Sequence, residues 1–418
     1  RFPLMPQTPG KRFMKSVSGL AIRMADSRCR TKHWVSRAIG PVFLAVAAAA
    51  PGQDRFPEFS WERVPLYMHI RKDTSFTPDE IRYLAGFPLI AFEKTTGGKE
   101  FGSTEAGTLA AARAVKAINP AAKILYYRNL IVHYDGYAAN GALAEIRDPF
   151  LTAGDGNERL VRGRLRAYDL SNRQVRAWWI ASAAQVCADP AIDGLFVDGA
   201  VKALEPAYLR AEIGEEKKAA LVEGYGALAQ ELRRGLPPEK LLLANLLRAR
   251  FADSGLSRLA AFDGTYIEGF DMATGGMAAR DYVAKGIAAF PQAARQGYIA
   301  DFPGGLGAEE AEAANNPQWT DEMRAPRDTE SASRRFSFLL AVFLVCAEKH
   351  SYFHAHDGYD AGTSQVWMTR PPEYDCPLGA PKGPAVQSGY AYSREFEHAS
   401  VRLDVERKIG QIDWKAPR

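Results

Sequence analysis

Gly194-Leu195-Phe196-Val197-Asp198-Gly199 is an apolar run that ends in one acid and a glycine. An uncharged stretch closing on a carboxylate is the pattern of a buried strand that surfaces at its C-terminal end. In a parallel α/β barrel, that end is where functional groups gather. The pattern returns as Phe262-Asp-Gly-Thr-Tyr-Ile-Glu268-Gly-Phe270. Two acids at the ends of two strands match what glycosidic cleavage needs. One protonates the leaving oxygen, and the other serves as nucleophile or as base for water. Asp198 and Glu268 are therefore the candidate catalytic pair. Asp is short and suits a fixed nucleophile; Glu reaches further and suits the acid. The bland alternative is that each is a turn acid capping the next helix.

Working outward, eight β-rich runs follow one another at residues 64–70, 89–94, 123–130, 194–200, 240–247, 262–270, 296–302 and 350–357. Helical stretches of alanine, leucine and charge separate most of them, most clearly at 103–118, 172–187, 215–235, 277–289 and 329–349. Ser171 or Asn172 is a good N-cap for the second of these. Strands alternating with helices imply a parallel sheet, and eight of them favour closure into an α/β TIM (β/α)8 barrel over an open doubly wound sheet. No Gly-x-Gly-x-x-Gly follows the first strand, which disfavours a dinucleotide fold. Two connections after strands are long, 131–168 and 304–327, and lie on the face where a barrel carries its site. The alternating polar and apolar residues after Pro371 predict a small antiparallel β appendage.

The chain has 418 residues, 47% of them hydrophobic, enough for a barrel with insertions. Its formal charge of +4 is misleading. Residues 1–50 hold nine Lys/Arg and one acid, Asp26, so the remainder is net acidic and carries no footprint of a nucleic-acid partner. Those first residues read as a secretory signal with a leader ahead of it. From Met24 the basic side chains Arg28, Arg30, Lys32 and Arg37 precede an apolar run at 38–50 that is too short to span a membrane. The expected organisation is a signal and upstream leader at 1–50, a barrel at 51–370, and the Pro/Gly-rich segment with its appendage at 371–418. The expected location is secreted or periplasmic. Of four cysteines, Cys29 would leave with the leader, and Cys187, Cys346 and Cys376 have no metal-binding spacing.

Several strand ends carry candidate substrate-binding residues. Glu93 closes strand two. Tyr126, Tyr127, Arg128 and Asn129 crowd the end of strand three. Alternation sends either Tyr127 with Asn129 or Tyr126 with Arg128 inward. Tyr127, Arg128 and Asn129 are all kept as candidates. Asn245 closes strand five, where an amide can hold a hydroxyl or orient a carboxylate. Tyr266 precedes Glu268. In strand eight, His354 and His356 fall on one face with Asp357 after them. They could grip a sugar, or hold a metal if a further ligand joined them. Trp319 and Trp367, in loops, are candidate stacking platforms, whereas Trp178 and Trp179 lie on a helix.

The phrases Ala91-Phe-Glu-Lys94, Ile124-Leu-Tyr-Tyr-Arg128, Tyr168-Asp-Leu-Ser171, Trp178-Trp179, Gly194-Leu-Phe-Val-Asp198, Tyr266-Ile-Glu-Gly269 and Arg394-Glu-Phe396 with Val401 resemble the hypothetical glycosyl hydrolase family 15, over nearly all of the chain after the leader. The resemblance implies a TIM barrel, a carbohydrate substrate and carboxylates after strands four and six. The order is also distantly similar to the α-galactosidase clan, whose second acid is Asp where this chain has Glu268. The reading is a secreted glycoside hydrolase acting on a polysaccharide or oligosaccharide without cofactor or resident metal, with retention favoured. The rivals are a non-catalytic carbohydrate-binding barrel and a metal-dependent hydrolase or lyase using His354, His356 and Asp357.

Overall fold

The computed structural model describes residues 55–415 except 272, 274, 275 and 308–328. The expected leader with Cys29, most of the second long connection, and Trp319 lie outside the described residues.

Eight parallel strands form one sheet in the order of the chain: β1 (Met68–Ile70), β2 (Leu89–Phe92), β3 (Lys123–Asn129), β4 (Gly194–Asp198), β5 (Leu241–Asn245), β6 (Gly264–Tyr266), β7 (Ile299–Gly305) and β8 (Ser351–His356). Tyr67 N donates to Phe353 O at 3.1 Å and Phe353 N to Pro65 O at 2.9 Å. These bonds tie β8 to the residues entering β1 and close the ring. The expected barrel is thus present. Among the described residues the helices are α1 (Pro78–Leu84), α2 (Gly98–Phe101), α3 (Thr104–Ile118), α4 (Arg173–Cys187), α5 (Ala200–Leu204), α6 (Arg210–Ile213), α7 (Glu215–Gly235), α8 (Ala279–Arg295) and α9 (Thr329–Cys346).

Local chemistry sets several boundaries. Thr77 and Glu80 cap α1 reciprocally, each side chain accepting from the other's backbone N–H. Ser103 accepts from Ala106 N, and Asn172 rather than Ser171 accepts from Gln174 N to start α4. Ser171 bonds Asp169 instead. Helix α8 runs on through Pro291 to Arg295, past the expected stop at residue 289. Its buried face, with Phe290, Ala293 and Ala294, outweighs the missing proline N–H. Strand β6 is shorter than expected, so Glu268 sits in the turn beyond it rather than at its last residue.

The interior splits into two apolar layers. Inward residues such as Leu125, Phe196, Leu243, Ile299 and Tyr352 fill the barrel. The larger outer cluster packs strands against helices, with Tyr126, Val197, Leu228 and Phe302. Phe56 and Phe59 pack against the inner layer, and Tyr352 donates its hydroxyl to Pro57 O at 3.0 Å.

After the barrel, β9 (Val386–Ser388), β10 (Ala391–Glu395), β11 (Ala399–Asp404) and β12 (Ile409–Trp414) form an antiparallel sheet in the order β12-β11-β10-β9. It is the expected appendage, and its Phe396, Val401, Leu403 and Val405 join the same outer core as α9. Arg394, buried on β10, donates to Leu344 O and Val345 O at 3.1 and 3.2 Å. A buried guanidinium there satisfies carbonyls that the end of α9 leaves without helical partners.

Candidate active site

The C-terminal ends of β3, β4 and β5 and the turn after β6 bring five predicted residues into one hydrogen-bonded group. On β3, Tyr127 and Asn129 face inward and Tyr126 and Arg128 face outward, which fixes the phase that alternation left open. Asn129 is held by its own turn: its Oδ1 accepts from Ile131 N at 3.0 Å and Val132 N at 2.7 Å. Its amide nitrogen must then point the other way, and donates to Asp198 Oδ2 at 2.9 Å. Tyr127 donates its hydroxyl to the same oxygen at 2.6 Å. Asp198 Oδ1 accepts from Gly199 N at 2.7 Å and from Asn245 Nδ2 at 3.2 Å.

Four donors on one carboxylate favour its charged form. Burial by itself would raise the Asp198 pKa. The charge of Lys202, the Tyr127 hydroxyl, the charge of Lys94 and the Gly199 N–H outweigh it and hold the group at about 2. Asp198 is therefore a fixed, ionised oxygen pair at the barrel mouth. This state suits a nucleophile and not a proton donor.

Glu268 faces Asp198 across β5. Its Oε2 accepts from Asn245 Nδ2 at 3.0 Å and from Arg248 Nη2 at 2.9 Å. The side chain is 47% exposed, so it faces the open mouth. Because one amide nitrogen touches both carboxylates, their nearest oxygens are no farther apart than the two contact distances combined.

The other candidates divide. Tyr266 is inward and buried, its hydroxyl against that of Tyr359. Glu93 is buried just beyond β2, paired with Lys94 and with Arg71 Nε at 3.6 Å. Burial would raise its pKa, but Lys94, His69 and Arg71 lower it. His354 lies inside the barrel against Tyr67, and burial lowers its pKa to about 3. His356 stacks on Tyr359 at 4.3 Å.

Four expectations are corrected. Arg128 does not enter the mouth. It points outward, 2% exposed, with its guanidinium over the rings of Tyr137, Trp178 and Trp179 at 4.8, 5.4 and 5.4 Å. Asp357 turns into its own loop, where Ser364 and the Gln365 N–H donate to it, so it is not presented to substrate. Among the described residues, no three His, Cys, Asp or Glu side chains come together as a metal-binding group, and His354, His356 and Asp357 do not converge. Trp367 is also no platform, being buried edge-on against Phe76 and Tyr83.

The sequence reading missed His69, Lys94 and Arg248. Lys94 Nζ lies over the rings of Tyr127 and Tyr134 at 5.1 and 5.4 Å. His69, inward on β1, packs its ring against Phe196 at 4.7 Å. Period-two alternation from Tyr67 could have placed His69 inward. Nothing in the sequence pointed to Arg248. A separate cleft of about 300 Å³, lined by Asp271, Arg280, Phe338 and Glu406 among others, lies away from this mouth. It is the seam between barrel and appendage, crossed by the Arg280–Glu406 pair.

The family described as hypothetical glycosyl hydrolase family 15 matches residues 116–400. No curated protein matches the chain in sequence. Among solved structures, a noncanonic maltogenic α-amylase, AmyB from Thermotoga neapolitana, is 10% identical, with 85% of this chain and 87% of that one covered at a TM-score of 0.47. The GH36 α-galactosidase AgaB from Geobacillus stearothermophilus is 13% identical, covering 83% of this chain and 47% of that one at 0.45. A variant of the glycoside hydrolase domain of PelA from Pseudomonas aeruginosa is 15% identical, covering 57% and 82% at 0.37. Among the described residues, no helix is long and apolar enough to cross a membrane.

Proposed function

That the chain belongs to hypothetical glycosyl hydrolase family 15 makes it a glycoside hydrolase by family, and we propose that it cleaves O-glycosidic bonds of a poly- or oligosaccharide with retention of configuration, through Asp198 and Glu268. The observation that carries this reading is the Asn245 amide nitrogen in contact with both carboxylates. A shared donor keeps the pair close enough for direct attack on the sugar and leaves little room for the water that inversion needs.

In the first step an Asp198 oxygen bonds to the anomeric carbon as the glycosidic C–O bond breaks. Glu268 gives its proton to the departing oxygen. In the second step Glu268 takes a proton from water, the hydroxyl bonds to the anomeric carbon, and Asp198 leaves. Tyr127 and Asn129 hold the nucleophile in place, and Asn245 fixes the two carboxylates relative to each other. Glu93, Tyr266 and His356 are proposed to line the sugar site.

The test is a panel of polysaccharides and aryl glycosides, with Asp198→Asn beside the wild type. The first-formed anomer is read by proton NMR. Release of sugar by the wild type alone, with the starting anomer kept, supports the reading. Equal release by Asp198→Asn overturns the assignment. We also propose export with cleavage near Ala50, which mass spectrometry of the mature N-terminus checks. The proposed catalytic unit is 51–370, with 371–418 docked on it.

A further inference from the structure

One polar ring in the mouth has no use in the scheme above. His69 is 2% exposed, and its Nδ1 is buried without a hydrogen-bond partner. Four rings enclose it: Phe196 edge-on at 4.7 Å, Tyr359 at 4.8 Å, Tyr266 at 5.6 Å and Tyr127 at 6.4 Å. The charged groups around it are Glu93 and Lys94 just after β2, Asp198 at the end of β4 and Glu268 in the turn after β6. Burial is the largest influence on the ring and lowers its pKa, so the imidazole is neutral at ordinary pH.

A neutral imidazole offers one N–H donor and one lone pair. A buried nitrogen without a partner is destabilising, because it has lost its hydrogen bonds to water. A phenylalanine would fill the same aromatic box without that cost. The nitrogens therefore have a use beyond packing, and the groups beside them define it. Tyr127, one wall of the box, donates directly to Asp198. His69 thus lies one ring away from the carboxylate that the proposed mechanism sets against the sugar.

We infer that His69 is a substrate-binding residue whose imidazole hydrogen-bonds a hydroxyl of the sugar ring held between Asp198 and Glu268. The inference rests on the glycoside hydrolase reading and narrows its substrate. The reacting sugar carries a free hydroxyl on the side facing β1, and sugars deoxygenated or substituted at that carbon are excluded.

The test uses protein with 15N-labelled histidine and free glucose, galactose, mannose, N-acetylglucosamine, N-acetylgalactosamine and glucuronate as probes. A sugar that shifts the Tyr127 ring resonances should also shift the His69 ring nitrogens. His69→Phe keeps the ring and removes both nitrogens. It should weaken binding of that sugar, and kcat/KM on the substrate the panel identifies, by about ten- to a hundredfold. His69→Gln, which restores an N–H, should recover part of the loss. The Phe variant should lose nothing further on the deoxy analogue of the contacted position. If His69→Phe fails to fold, the wild-type shifts and the Gln variant decide. Hydrolysis with full kcat/KM in His69→Phe overturns this inference alone, as does a sugar that moves Tyr127 and leaves His69 unmoved. Absence of both hydrolysis and binding overturns the glycosidase reading and this inference together.

Discussion

Asn245 Nδ2 lies 3.0 Å from Glu268 Oε2, and the same nitrogen reaches Asp198 Oδ1 at 3.2 Å. An amide at this point ties two carboxylates together without adding charge. Asn245→Asp keeps the shape and adds a third carboxylate. Like charge at this distance disfavours ionisation of its neighbours, so the Asp198 pKa should rise from about 2. The acid limb of the pH–rate profile should then move to higher pH, with a fall in kcat. An unchanged limb would show that Asn245 does not couple the pair.

Asp198→Asn should lower kcat by about a hundredfold or more, as loss of a nucleophile demands. It should also change how stability follows pH. The folded pKa of about 2 lies below the ordinary 3.8, so the native state binds fewer protons than the unfolded chain between those values. The stabilisation is complete above pH ~4 and is lost as pH falls toward 2. The difference in thermal midpoint between wild type and Asp198→Asn should therefore close on acidification. A difference that stays constant from pH 5 to 2 contradicts the donor set described for Asp198.

Gly199 follows Asp198 with φ of +87°, and a Cβ there would lie 2.5 Å from Asn129 Oδ1. Gly199→Ala faces both a left-handed backbone, which costs about 1 kcal/mol, and a collision with the side chain that orients Asp198. Turnover should fall with the stability. The control is Gly214→Ala, also at positive φ with open space around its Cβ, which should cost stability only. Equal kcat in wild type and Gly199→Ala would sever Asn129 from the chemistry.

The barrel was legible because each strand is a short apolar run bounded by turn residues, and Asp198 because its run ends abruptly in charge. The side of β3 that faces inward was not legible. Tyr126 and Tyr127 are both fully buried, one in each layer, so hydrophobicity could not choose between them. That choice sends Arg128 to its aromatic cage and Asn129 to the site. Asp357 looked free in the sequence because its partners, Ser364 and Gln365, form a loop closure with no spacing signature. His69 and Arg248 are single polar residues in apolar surroundings, and only the fold shows what they face.

Asp301 gives a prediction that needs no substrate. It lies inward on β7 between Tyr266 and Tyr352 in the ladder, 1% exposed, with Oδ1 lacking a partner. Burial raises its pKa well above the ordinary carboxylate value. The native state therefore keeps a proton that the unfolded chain releases above pH ~3.8. A group of this kind lowers stability as pH rises, from the unfolded pKa until the folded one is passed. Each pH unit in that window costs about 1.4 kcal/mol. Asp301→Asn keeps the shape and removes the ionisation. Its thermal midpoint should match or trail the wild type near pH 4 and exceed it increasingly toward pH 7. A midpoint difference that does not vary over this range would mean that Asp301 is ionised in the folded barrel.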